Sequence, residues 1–123
     1  MIEMLNNKKN EEIKAFLGKG AEFSGKLVFK GSVRIDGDFS GEIFGDGTLV
    51  VGEGANIEAD IQTDQAVISG KVHGQIKVKE RVEIHPPGRV LGNIITPILV
   101  IKEGAIFEGN SHMGDGEIRT SNE

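Results

Sequence analysis

Apolar residues in this chain fall on every second position in short bursts, and the bursts recur. One burst reads apolar, any, small, any, apolar. It appears as Phe23-Ser24-Gly25-Lys26-Leu27 and again as Phe39 to Ile43, Ile57 to Ile61, Val72 to Ile76 and Val90 to Ile94, with a shortened copy beginning at Phe107-Glu108-Gly109. Successive starts lie 16, 18, 15, 18 and 17 residues apart. A second burst, apolar, any, apolar, interleaves with the first: Val33-Arg34-Ile35, Leu49-Val50-Val51, Ala66-Val67-Ile68, Val82-Glu83-Ile84 and Leu99-Val100-Ile101, with starts 16, 17, 16 and 17 residues apart. Two independent phrases with one shared period define an internal repeat.

Alternation with period two is the signature of a strand with one buried face, and the β-branched content of the phrases suits strands. The period is too short for a helix pair or a propeller blade but fits one turn of a coil with three short strands and three corners. The pattern therefore predicts an all-β chain: a right-handed parallel β-helix, a three-faced solenoid of about six coils over residues 21–113. Stacked at about 4.8 Å per coil, it forms a rod of about 25–30 Å. Right-handedness follows from the crossover rule. A left-handed hexapeptide coil needs an apolar residue every six positions. Val51 and Ile57 obey that rule, and Thr63 breaks it. The small residue in the first phrase (Gly25, Gly41, Ala59, Gly74, Gly92, Gly109) shares the parity of the inward positions, so it reads either as a residue shrunk to fit a narrow tube or as a corner glycine with positive φ. Asp36-Gly37, Asp46-Gly47, Gly52-Glu53-Gly54 and Pro86-Pro87-Gly88 carry corner chemistry.

The flanks lack this pattern. Residues 1–20 read as a flexible arm, and residues 114–123 as a disordered acidic tail. In the arm, Met1, Ile2, Met4 and Leu5 could enter a lipid boundary while Lys8 and Lys9 meet anionic head groups. At about 1 kcal/mol per lysine, one arm binds weakly and many arms bind together.

Composition narrows the function. The chain of 123 residues has 18 Gly, 3 Pro, no Cys, Trp or Tyr, and six Phe, so it has no disulfide and no thiolate metal site. Absence of a long apolar run or a signal-peptide pattern predicts a protein of the cytosol or the cytosolic side of the membrane. The net charge of −5 disfavours nucleic acid as a partner. Charge is banded: eight acidic residues and no Lys or Arg lie from Asp36 to Asp64, and five basic residues against two acidic lie from Lys71 to Arg89. His73, His85 and His112 have no carboxylate or second His at metal spacing, and no carboxylate pair is placed for acid–base work, so no cofactor, metal site or catalytic residue is expected. Gly52-Glu53-Gly54 lacks the rest of a phosphate-binding loop. The alternatives are a hexapeptide-type acyltransferase or metal-dependent enzyme of that shape, and a β-helical carbohydrate-active enzyme. The first needs histidines from neighbouring subunits and a strict six-residue rule, the second long Asp-bearing loops.

An uncapped solenoid exposes unpaired strand edges at both ends. Phe23, Leu27 and Phe29 lie in the first coil and Leu99, Ile101, Ile106 and Phe107 in the last, which makes these seven the expected polymer interface, with Phe107 foremost. Burial at about 1.5–3 kcal/mol per side chain roughly balances an association cost of about 4–15 kcal/mol, leaving strand pairing to supply the rest.

The run Val33 to Phe39 with Gly41-Glu42-Ile43 resembles the opening of the bactofilin domain, as do Leu49 to Ala55, Ile68 to Gly74, Arg81 to Gly88 and Leu99 to Gly109, in order over residues 15–113. The resemblance implies a bacterial cytoskeletal scaffold with a right-handed parallel β-helix that polymerises without nucleotide. It implies non-polar filaments joined head to head and tail to tail, on the inner face of the cytoplasmic membrane through the N-terminal segment. It also implies service to cell-shape or cell-wall machinery, with cell-wall hydrolases or other envelope proteins as partners. The short acidic tail departs from the proline-rich tail of some members.

Overall fold

A computed structural model of the chain describes residues 2–3, 13–112 and 117–121. Every regular element among them is a strand: β1 (Ile2–Glu3), β2 (Ile13–Leu17), β3 (Glu22–Ile35), β4 (Asp38–Val51), β5 (Asn56–Ile68), β6 (Lys71–Ile84), β7 (Arg89–Ile95), β8 (Ile98–Lys102), β9 (Ile106–His112) and β10 (Glu117–Ser121). All pairings are parallel, and β3, β4, β5 and β6 stack in order. The fifth winding is split into β7 and β8, which continue the first and last parts of β6. Five windings are thus complete, fewer than the six expected. β9 on β7 and β10 on β8 form a partial sixth, and β1 and β2 pair with β3 at the other end.

The register pairs the same residues that the two sequence phrases align. Phe23, Phe39, Ile57, Val72, Val90 and Phe107 form one column, and Val33, Leu49, Ala66, Val82 and Leu99 another. These columns, with Leu27-Ile43-Ile61-Ile76-Ile94 and Ile35-Val51-Ile68-Ile84, fill the tube and are almost wholly excluded from solvent, except for half-buried Phe23 and Phe107 at the two ends of the first. The uneven period has two local causes: the turns at 36–37, 52–55, 69–70 and 85–88 alternate between two and four residues, and register shifts between Phe44 and Thr48 and between Thr63 and Gln65 absorb single-residue differences at another corner. Thr63, the residue that breaks the six-residue rule, is buried there and its hydroxyl donates to the Gly47 carbonyl at 2.9 Å, so a polar side chain sits inside at no hydrogen-bonding cost. Phe29 fills the space that Gly45 leaves open in the next winding, where a Cβ would meet its ring.

The repeat glycines belong to corners rather than to inward sites. Gly25, Gly41, Gly74, Gly92 and Gly109 all have φ between 132° and 146°, a region L side chains rarely adopt. A Cβ on Gly41 would also strike the Gly25 carbonyl oxygen beneath it. In the third winding the position is held by Ala59, which is buried and has no positive φ. A strand also occurs where the sequence showed no strand pattern: β2 lies within the segment read as an arm and pairs Ala15, Phe16 and Leu17 with Val33, Arg34 and Ile35. Likewise β10 lies within the segment read as a tail.

On the outer surface, Arg81 pairs with Glu83 at 2.7 Å and the His85 ring nitrogen lies 2.9 Å from the same carboxylate. The hydrogen bond from His85, followed by the charges of Arg81, His85 and Lys102, holds Glu83 below its ordinary 4.5 against the opposing effect of burial. A depressed carboxylate stabilises the fold above its unfolded value, and that contribution is lost as pH falls through the folded one. Thermal melts on acidification should therefore show a smaller loss of Tm for His85→Ala than for the wild type; equal declines would contradict the assignment.

Candidate assembly interface

Strand pairing decides which parts of the end windings remain open. At the C-terminal end, β9 closes the sheet order; among the described residues it pairs with β7 on one side and with nothing on the other. At the N-terminal end, β1 pairs with Leu27 and Val28 and β2 with Ser32 to Ile35, which leaves the outer edge of Glu22 to Lys26 without a partner among the described residues. Unpaired N–H and C=O groups along such edges are templates for another strand.

The seven residues expected at the interface divide into two groups. Ile106 is 43 % exposed, and Phe107 beside it is half-buried, resting on the core with one side open. Phe23 and Ile101 are half-buried as well, and the Phe23 ring stacks on Phe39 with centroids 5.1 Å apart. Leu27, Phe29 and Leu99 are buried inside the tube, so an end-to-end surface cannot use their side chains without rearrangement. Their strand parity turns them inward, and end position alone does not expose them. Val28, 51 % exposed between inward Leu27 and Phe29, was not among the expected residues; its outward parity was the available signal. On the same side of the rod the Lys26 ammonium sits 5.1 Å from the centre of the Phe44 ring.

Charges near the C-terminal edge are sparse: Arg89 and Glu108 approach to 3.8 Å, both well solvated, a pair of little energetic weight. Of the membrane-contact residues, Met1, Met4, Leu5, Lys8 and Lys9 lie outside the described residues, and Ile2 falls in β1. Among the described residues no helix is long and apolar enough to cross a membrane, and no group of three or more His, Asp or Glu is placed to hold a metal ion.

A parallel β-solenoid with open terminal edges defines a class of self-associating rod. Residues 15–112 match the family model described as "Bactofilin: Polymer-forming cytoskeletal", and the chain belongs to the bactofilin family. It is 34% identical over 101 residues to bactofilin BacP of Myxococcus xanthus (strain DK1622), a match that covers 82% of this chain and 42% of BacP. It is 33% identical over 97 residues to bactofilin BacO of the same organism, covering 79% of this chain and 77% of BacO. The chain thus spans less than half the length of BacP. No solved structure matches.

Proposed function

We propose that this bactofilin assembles without nucleotide into non-polar filaments on the inner face of the cytoplasmic membrane and serves there as a scaffold for cell-shape or cell-wall machinery. The observation that supports it best is the open edge of β9, which begins with exposed Ile106 and half-buried Phe107. A second copy meeting this edge about a two-fold axis gains strand pairing and apolar burial together, and the same operation at the Glu22–Lys26 edge joins the other ends. Two-fold contacts at both ends give a filament without direction. Six stacked levels at about 4.8 Å make a subunit of about 29 Å, and a head-to-head pair repeats at about 58 Å. Electron microscopy in nucleotide-free buffer should show filaments with that axial repeat, whereas discrete trimers would favour a hexapeptide-type enzyme.

Membrane attachment rests on Met1, Ile2, Met4, Leu5, Lys8 and Lys9. In liposome sedimentation, deleting residues 1–10 should abolish co-pelleting with anionic vesicles, because each arm supplies only a few kcal/mol and assembly multiplies it. Equal pelleting of the truncated and full chains would remove the arm from this role.

A further inference from the structure

The first arm of each winding, up to the repeat glycine, carries two outward columns fixed by strand register. The outer column runs Glu22, Asp38, Asn56, Lys71, Arg89, Ile106, and the inner one Ser24, Ser40, Glu58, His73, Leu91, Glu108. All but Leu91 are exposed, and Leu91 is half-buried. The outer column changes sign once along the rod, from Glu22 and Asp38 through neutral Asn56 to Lys71 and Arg89. A groove lined by Glu22, Asp38, Asn56, Glu58 and Lys71 runs over the acidic part.

A face with this order can meet itself well in one orientation. Side by side and parallel, acidic windings meet acidic and basic meet basic. Antiparallel, about a two-fold axis lying in the interface, each column meets itself reversed, and the position of the axis selects the pairs. With the axis on β5, Glu58 faces Glu58; with the axis on β6, Lys71 faces Lys71. With the axis between β5 and β6, Asp38 faces Arg89, Glu58 faces His73, Asn56 faces Lys71, Ser40 faces Leu91, Ser24 faces Glu108 and Glu22 faces Ile106. No like charges then stand opposite one another, and Arg89 of the second copy enters the acidic groove.

We propose that this face binds a second copy of the chain laterally and antiparallel, in the register that sets Asp38 against Arg89. The face measures roughly 10 by 25 Å, or roughly 250 Å² per copy, well under the roughly 800 Å² per partner of a stable complex. Isolated copies therefore pair only transiently. Rows of copies pair firmly through many such contacts, and to that extent the strength of the effect rests on the end-to-end assembly proposed above. Exposed charge pairs are screened over about 8 Å at physiological ionic strength, so lateral pairing weakens with salt.

Charge reversal with rescue tests the register. Asp38→Arg alone and Arg89→Asp alone should each cut the low-speed (bundle) pellet more than about tenfold, because like charges then stand opposed at every contact. High-speed pelleting of single filaments should be unchanged. A one-to-one mixture of the two variants should restore bundling, since each supplies the charge the other lacks. Bundles that survive either reversal or high salt, or a mixture that stays unbundled, overturn the proposal. Cross-linking separates this result from any failure of filament assembly. The chain has no Cys, so a mixture of Asp38→Cys and Arg89→Cys with a short thiol cross-linker should give 38–89 dimers in excess over 38–38 dimers. This readout needs no filament. Equal yields, or no dimer at low salt, rule out the register.

Discussion

Replacing Phe107 by Arg should leave a folded, β-rich protein that no longer forms filaments. Phe107 lies at the start of β9, the strand that ends the sheet, and tops the inward column formed by Val90 and the residues below it. Its ring is half-buried in the single chain, and the end-to-end joint proposed above would cover its open side. A two-fold joint loses two such rings, at the low end about 3 kcal/mol together, which raises the critical concentration about a hundredfold. Arg adds two cations in an apolar seam, and the carboxylate of the next residue, Glu108, already approaches Arg89. Because Phe107 belongs to a partial winding, the five complete windings retain their core. Circular dichroism should be that of the wild type while high-speed pelleting and electron microscopy show no polymer. Normal filaments would place the joint elsewhere.

Gly92→Ala should have the opposite profile, damaging the fold itself. Gly92 has φ of 133°, and a Cβ there would strike the Gly74 carbonyl oxygen of the winding beneath, in the middle of the β6–β7 ladder. The backbone conformation alone costs about 1–3 kcal/mol. Separating the two windings at that corner also weakens the pairing of Gln75 with Asn93 and Ile76 with Ile94. A loss of about 3 kcal/mol or more is a large part of the 5–15 kcal/mol or so that holds a domain folded. Gly54→Ala is the control. Gly54 lacks positive φ, and its added Cβ would meet the Lys19 side chain at 3.6 Å and the Asp36 carbonyl oxygen at 3.8 Å, both ordinary contacts, so the change should stay within about 0.5 kcal/mol. Urea midpoints compare the two directly; similar midpoints would mean that the glycine corner relaxes easily.

Much of this fold was written in the chain because a solenoid repeats its environment. Phe23, Phe39, Ile57, Val72 and Val90 meet one another in space, and their identical surroundings select similar residues at regular intervals. The same logic failed where the environment is unique. Among the described residues strand β2 pairs on one side, with β3, so no repeated partner shapes its composition and no alternation stands out. The glycines shared the parity of inward residues, yet a corner breaks parity, and only backbone geometry separates a shrunken core residue from a kink. For the interface, position along the chain placed Leu27, Phe29 and Leu99 in end windings but did not show that their side chains close the tube from within. Ile106 is exposed, and Phe107, Phe23 and Ile101 are half-buried, so for these four a place in an end winding comes with open side-chain surface.

The turn that joins the second and third windings has a practical consequence. Glu53 and Gly54 are exposed, the flanking backbone is secured by the bond from the Ala55 amide to the Gly52 carbonyl, and Gly54 has room around it. Extra residues spliced between Glu53 and Gly54 would hang outside the rod without disturbing its rungs, as surface loops generally permit. An assembled fibre built from such a derivative would display a grafted epitope or dye at one fixed address per molecule, turning the polymer into a molecular ruler whose graduations report directly on how neighbouring copies are oriented.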